Sequence, residues 1–136
     1  MSYLLDTNTC IGHLTGRAPQ VTEQLRRHSV NEIVLCSVVK AELLTGAQKS
    51  RRAAETLALV EEFASPFVSY PFDDQAAEQY ALIRASLESA GTPIGANDLL
   101  IAAIASARQC VVVTSNTREF RRISGLVVED WSKPGA

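Results

Sequence analysis

Ile33-Val34-Leu35-Cys36 runs without a break into Ser37-Val38-Val39-Lys40-Ala41-Glu42-Leu43-Leu44, and this join decides the fold. The first four residues are continuously apolar and rich in β-branched side chains, as in a strand buried on both faces. From Ser37, a residue type that caps helices, the apolar positions Val38, Ala41 and Leu44 follow helical spacing instead.

The same change of period recurs on either side. Tyr3-Leu4-Leu5, Phe67-Val68-Ser69, Val111-Val112-Val113 and Leu126-Val127-Val128 read as four further short strands. Between them lie helical patterns: one opened by Pro19 with Val21 and Leu25 on one face, one through Ala53, Leu57, Val60 and Ala64, and one through Ala76, Tyr80, Ile83 and Leu87 after the cap residues Asp73 and Asp74. Gly91-Thr92-Pro93-Ile94-Gly95 breaks the chain, after which Asp98 opens Leu99 to Ala105, apolar all round and so a central buried helix. Strands alternating with helices predict an α/β fold, a parallel sheet in three layers. No linker or repeat divides residues 1–136, so one domain is expected.

Composition narrows the function. The 136 residues are 46% hydrophobic, enough for one substantial core. Thirteen Lys and Arg against fifteen Asp and Glu leave a formal charge of −2, which excludes a protein that holds nucleic acid by bulk charge; such a partner needs a local patch. The N-terminus lacks the basic and apolar regions of a signal peptide, and the longest apolar run is far short of a membrane span. Cys10, Cys36 and Cys110 are odd in number, widely spaced and set among apolar neighbours, which reads as reduced core thiols in a soluble, cytoplasmic protein.

In a parallel sheet the reactive crevice lies outside the carboxyl ends of the strands, and three acids fall there. Asp6 directly follows the first strand, Glu42 lies one turn into the helix after the second, and Asp98 stands at the mouth of the apolar helix. A carboxylate on a buried segment is costly unless paired or bound to a metal, and only Lys40 is near in sequence. Hard oxygen ligands without neighbouring His or Cys point to Mg²⁺ or Mn²⁺ rather than Zn²⁺. Taken singly, Asp6 and Asp98 also read as helix caps and Glu42 as a solvated helix edge. After the fourth strand, Ser115, Asn116 and Glu119 offer further oxygen ligands. Arg118, Arg121 and Arg122 are candidates for meeting phosphates, or equally a solvated basic face. His13 and His28 lack a partner pattern and read as structural. Ser37 and Ser115 have no readable general base, and no glycine-rich phosphate loop is present.

Four ordered stretches make the chain resemble the PIN-domain ribonucleases over nearly its whole length, and within them the VapC toxins of bacterial type II toxin–antitoxin modules. They are Leu4-Leu5-Asp6-Thr7-Asn8, Val38 to Gly46 around Glu42, Pro93-Ile94-Gly95 leading to Asp98-Leu99-Leu100-Ile101-Ala102, and Val113 to Trp131 with its Asn116-Thr117-Arg118-Glu119-Phe120 run. The resemblance implies a sheet ordered 3-2-1-4-5, a Mg²⁺- or Mn²⁺-dependent endoribonuclease, a homodimer, and neutralisation by a cognate VapB-type antitoxin. It implies that Asp6, Glu42 and Asp98 form the metal site. Asn116 stands where many PIN domains place an Asp, which leaves the fourth ligand between Asn116 and Glu119. The C-terminal stretch is most similar to toxins that cut the anticodon stem-loop of initiator tRNA.

Two rival readings accompany this one. An aspartate-based phosphotransferase also places its nucleophile after the first strand, but it wants a second acid two residues on, where Asn8 stands. A non-catalytic PIN-like module that binds RNA or protein is the other, motivated by Asn116. The apolar residues on Pro19 to Arg27 and Ser50 to Ala64 are available either to the core or to a groove for an antitoxin segment.

Overall fold

The computed structural model describes residues 1–134. Five parallel strands form one sheet in the order β3-β2-β1-β4-β5: β1 (Tyr3–Leu5), β2 (Ile33–Cys36), β3 (Val68–Tyr70), β4 (Val111–Val113) and β5 (Val128–Glu129). One row of residues crosses the whole sheet, Val68 to Val34 to Leu4 to Val112 to Val128. Along that row Leu4 and Val112 are sealed from solvent, whereas Val68 at the β3 edge is 57% exposed. The uninterrupted apolar pattern therefore holds for the three inner strands and fails at the two edges, where one flank has no neighbouring strand to cover it.

Both edge strands are also displaced from their expected bounds. Phe67 is held in the turn that ends the preceding helix, its amide donating to the Ala64 carbonyl, so β3 starts one residue later than Phe67. Gly125 adopts φ +81° in the turn before β5, and pairing begins at Val128 rather than Leu126.

Seven α-helices and one 3-10 turn (Val30–Glu32) complete the described residues: α1 (Thr7–Leu14), α2 (Pro19–Arg27), α3 (Ser37–Gln48), α4 (Ala53–Ala64), α5 (Asp74–Ser89), α6 (Ala96–Arg108) and α7 (Thr117–Phe120). The right-handed crossover of parallel strands puts α1 to α4 on one face of the sheet and α5 to α7 on the other. The observed packing follows, with α3 on α4, α1 on α2 and α3, and α5 on α6. Pro19 opens α2, and Asp73 caps α5 by accepting from the Ala76 amide at 3.0 Å. Ser37 does not cap α3: its own backbone is already helical, and the extended residue before the helix is Cys36.

The helix α6 is the apolar centrepiece, with Ile101, Ala102, Ala103, Ile104 and Ala105 all at most 1% exposed. Val21, Val60 and Ala64 go to the core, with Leu25 and Leu57 packed against it, while Leu59 remains 58% exposed. Cys10, Cys36 and Cys110 are free and buried, as their apolar neighbours predict. Trp131 closes the sheet's far side, stacked on His28 at 4.7 Å and donating through Nε1 to Glu129. No described helix is long and apolar enough to cross a membrane.

Candidate active site

The carboxyl ends of β1 and β4 and the N-terminal turns of α1, α3 and α6 meet at one end of the sheet. Asp6 leaves β1 with its amide donating to the Val113 carbonyl of β4, then serves as the N-cap of α1. Its carboxylate is fixed from two sides: Oδ1 accepts from the Thr9 amide at 2.9 Å, and Oδ2 from the Thr114 hydroxyl at 2.5 Å. Asp6 is thus both a cap and a site acid. Burial pushes its carboxyl pKa above the ordinary range, the bonds from Thr114 and Thr9 pull it back, and the Glu42 charge adds to the rise.

Glu42 is half-buried on α3. Its Oε1 accepts from the Thr7 hydroxyl at 2.5 Å and its Oε2 from the Asn97 amide at 3.1 Å. It opens onto a cleft of about 680 Å³ lined by Val38, Ala41, Thr45, Lys49, Asn97 and Leu100.

Asp98 lies in the first turn of α6 but does not cap it. The helix opens at Ala96 after Gly95, and the Asp98 side chain turns instead to Asn116, whose Nδ2 donates to Oδ2 at 3.0 Å. Burial again raises the carboxyl pKa; the Asn116 bond opposes this, while the charges of Asp6, Glu119 and Glu42 reinforce it. The same Asn116 amide also donates to Glu119 Oε2. Asn116 therefore presents a donor between two acids, Asp98 and Glu119.

Asp98 feels the charges of Asp6, Glu119 and Glu42, and Asp6 that of Glu42, yet none of the four acids forms an ion pair with a described Lys, Arg or His. What separates them is a set of neutral donors: Thr7, Thr9, Thr114, Asn97 and Asn116. Among the described residues no group of three or more His, Cys, Asp or Glu side chains is drawn close enough to hold a metal ion. The donor chemistry nonetheless fits a hard divalent cation, being all oxygen and carrying uncompensated negative charge. The nearby thiols do not enlarge the set, because burial and the charges of Asp6 and Glu42 push the Cys10 and Cys36 pKa values up and keep them protonated.

Of the three arginines, Arg118 and Arg121 are exposed beside the acids on α7 and its C-cap. Arg122 is committed elsewhere, its Nη1 donating to the Pro93 carbonyl at 2.9 Å and so pinning the loop before α6. His13 pairs with Thr22 at 2.7 Å and His28 with the Gln24 carbonyl, both in structural settings. Sequence reasoning missed Thr7, Asn97 and Thr114. Each is adjacent to a singled-out acid or strand end, and Thr114, wholly buried directly after an apolar strand, is the one whose position gave a readable signal.

Comparison with known proteins agrees with this geometry. The PIN domain model matches residues 3–126. The tRNA(fMet)-specific endonuclease VapC of Salmonella typhimurium is 40% identical over 131 residues, covering 96% of this chain and 98% of that protein. Ribonuclease VapC2 of Rickettsia felis is 35% identical over 134 residues, covering 98% and 100%. A solved structure of DNA-bound VapBC from Salmonella typhimurium superposes with a TM-score of 0.90 at 40% identity, covering 96% of this chain and 98% of that one. The sheet order, the acid-lined strand ends and near end-to-end likeness to these ribonucleases lead to one assignment: the chain belongs to the PIN-domain family, among its VapC ribonucleases.

Proposed function

We propose that this chain is the toxin of a VapBC-type pair and hydrolyses RNA phosphodiester bonds with Mg²⁺ or Mn²⁺ held by Asp6, Glu42 and Asp98. The observation that carries the reading is that Asp6, Glu42 and Glu119, from three other segments, all act on half-buried Asp98 and that none of the four has an ion-pair partner among the described residues, a costly arrangement unless a cation offsets it. Bound there, a divalent cation offsets charge developing on the scissile phosphate and makes water a better nucleophile.

The chain's own residues supply the rest. Thr9 and Thr114 lock Asp6 in one rotamer, leaving each of its oxygens a further acceptor direction. Glu42 has one donor on each oxygen and keeps the capacity to hold an attacking water and take its proton. Asn116 keeps Asp98 and Glu119 together, which makes Glu119 the fourth acid. Arg118 and Arg121 grip the flanking phosphates, giving RNA the local foothold that a net charge of −2 does not.

The substrate we assign is initiator tRNA, supported by the Salmonella typhimurium and Shigella flexneri relatives, each 40% identical and each a tRNA(fMet)-specific endonuclease. A VapB-type antitoxin is the natural partner, since the solved relatives from Salmonella typhimurium, Rickettsia felis and Haemophilus influenzae are VapBC complexes. A homodimer and a cytoplasmic setting complete the reading.

The test is cleavage of total RNA and of initiator tRNA by purified, antitoxin-free protein with Mg²⁺ or Mn²⁺, against EDTA and Asp6→Ala controls. Discrete metal-dependent products, missing from both controls, are expected. No cleavage together with no metal binding overturns the proposal in favour of the non-catalytic module, the reading that the donor amide of Asn116 in the fourth position favours.

A further inference from the structure

The carboxylate of Glu42 is held by two side chains that are sequence neighbours of the other two acids. Thr7 follows Asp6 as the first residue of α1, and Asn97 precedes Asp98 in the first turn of α6. Their bonds run across 35 and 55 residues of chain to opposite oxygens of one carboxylate. Neither is needed to satisfy a helix end: α1 is capped by Asp6, and Asn97 is exposed to solvent. Glu42 reaches the cleft on a long side chain with three torsions, so without these bonds its carboxylate samples many positions.

We infer that Thr7 and Asn97 are positioning residues that clamp Glu42 to the two turns carrying Asp6 and Asp98, so that a cation has fewer independently moving acids to gather. Because the clamps sit on the same two turns as the acids, any shift of α1 or α6 carries Glu42 along with Asp6 or Asp98. Each clamp occupies one acceptor direction per oxygen and leaves the others for a ligand or water. The inference rests on the metal-site reading above. It differs from that reading in assigning roles to two neutral residues that touch neither cation nor RNA.

The experiment is calorimetric Mn²⁺ titration of the purified full-length protein and its variants, with RNA cleavage read in parallel. Thr7→Val and Asn97→Ala are each expected to weaken Mn²⁺ binding about tenfold, the scale of losing a partner that orients a ligand. Thr7→Ser, which keeps the hydroxyl, restores binding to within about twofold. In a Glu42→Gln background the two substitutions add nothing further, because they act through Glu42. A full tenfold loss persisting in that background overturns the clamp and marks a general structural effect. Unchanged Mn²⁺ affinity in Thr7→Val and Asn97→Ala, with Glu42→Gln still weakening it, overturns the clamp and leaves the metal site standing. Glu42→Gln without effect on Mn²⁺ overturns the site reading at Glu42 and the clamp with it. Since Asn97 is exposed, its replacement spares the fold and keeps the test decisive where Thr7→Val unfolds.

Discussion

Replacing Asp98 by Asn should reverse the sign of a stability change according to the metal present. The substitution is isosteric, and the new side-chain oxygen still accepts from Asn116. In EDTA it removes a half-buried negative charge that Asp6, Glu119 and Glu42 all oppose. With solvent screening each like-charge contact is worth about 0.5 kcal/mol, and the weaker bond to a neutral acceptor returns roughly 0.5 kcal/mol. The net is a stabilisation of about 1 kcal/mol, or about 3 °C in Tm for a domain of this size. In Mg²⁺ at about 100 times its Kd the wild type gains roughly 2.7 kcal/mol that the variant forgoes, so the order inverts. Cleavage should fall about a thousandfold, corresponding to about 4 kcal/mol of lost transition-state stabilisation. Thermal melts with EDTA and with Mg²⁺, alongside tRNA cleavage, read all three effects. A variant that is less stable than wild type in EDTA, or that still cuts, refutes the argument that Asp98 is held against its electrostatic preference for a cation's sake.

Three further outcomes are expected. Thr114→Val leaves the buried Asp6 oxygen and the Asn116 amide without a partner and should cost about 2 to 3 kcal/mol in urea melts, while raising the Asp6 pKa further. The Asp6 and Asp98 pKa values are raised in the folded protein, so the native state binds protons more tightly than the unfolded chain. Their contribution to metal-free stability is therefore largest in acid and declines as pH rises from 3.8 through the raised values, and Mn²⁺ affinity climbs over the same window; melts and titrations across pH in EDTA and Mn²⁺ measure both. Arg118→Ala and Arg121→Ala should each weaken RNA binding and reduce the slope of log affinity against log salt by about 1, whereas Arg122→Ala should act mainly by loosening the loop at Pro93.

The fold was legible where hydrophobic pattern alone determines the outcome. Leu4, Val34 and Val112 sit at the centre of the sheet, and their uninterrupted apolar settings announced as much. Edge strands resisted because an uncovered flank relaxes the pattern, and α1 resisted because Thr7 to Leu14 lacks a clear apolar stripe. For the site, Asp6, Glu42 and Asp98 stood out as acids on apolar segments, and the structure brings them to one end of the sheet. Apart from Asn116, the neutral residues did not stand out. An asparagine that reaches Glu42 across 55 residues, or a threonine that does so across 35, is defined by tertiary contact and leaves no local trace.

The bond from Thr114 to Asp6 spans 108 residues, and β1 is flanked by a strand that precedes most of the chain and another that arrives near its end. A ribosome making this protein from the N-terminus thus emits Asp6 and Glu42 long before β4 exists to order them, and Glu119 only after it. Such non-local closure delays assembly until synthesis is nearly complete. A chain that ends before β4 carries Asp6, Glu42 and Asp98 but lacks both the Thr114 hydroxyl that fixes Asp6 and the Asn116–Glu119 pair, so its acids are not assembled into a site.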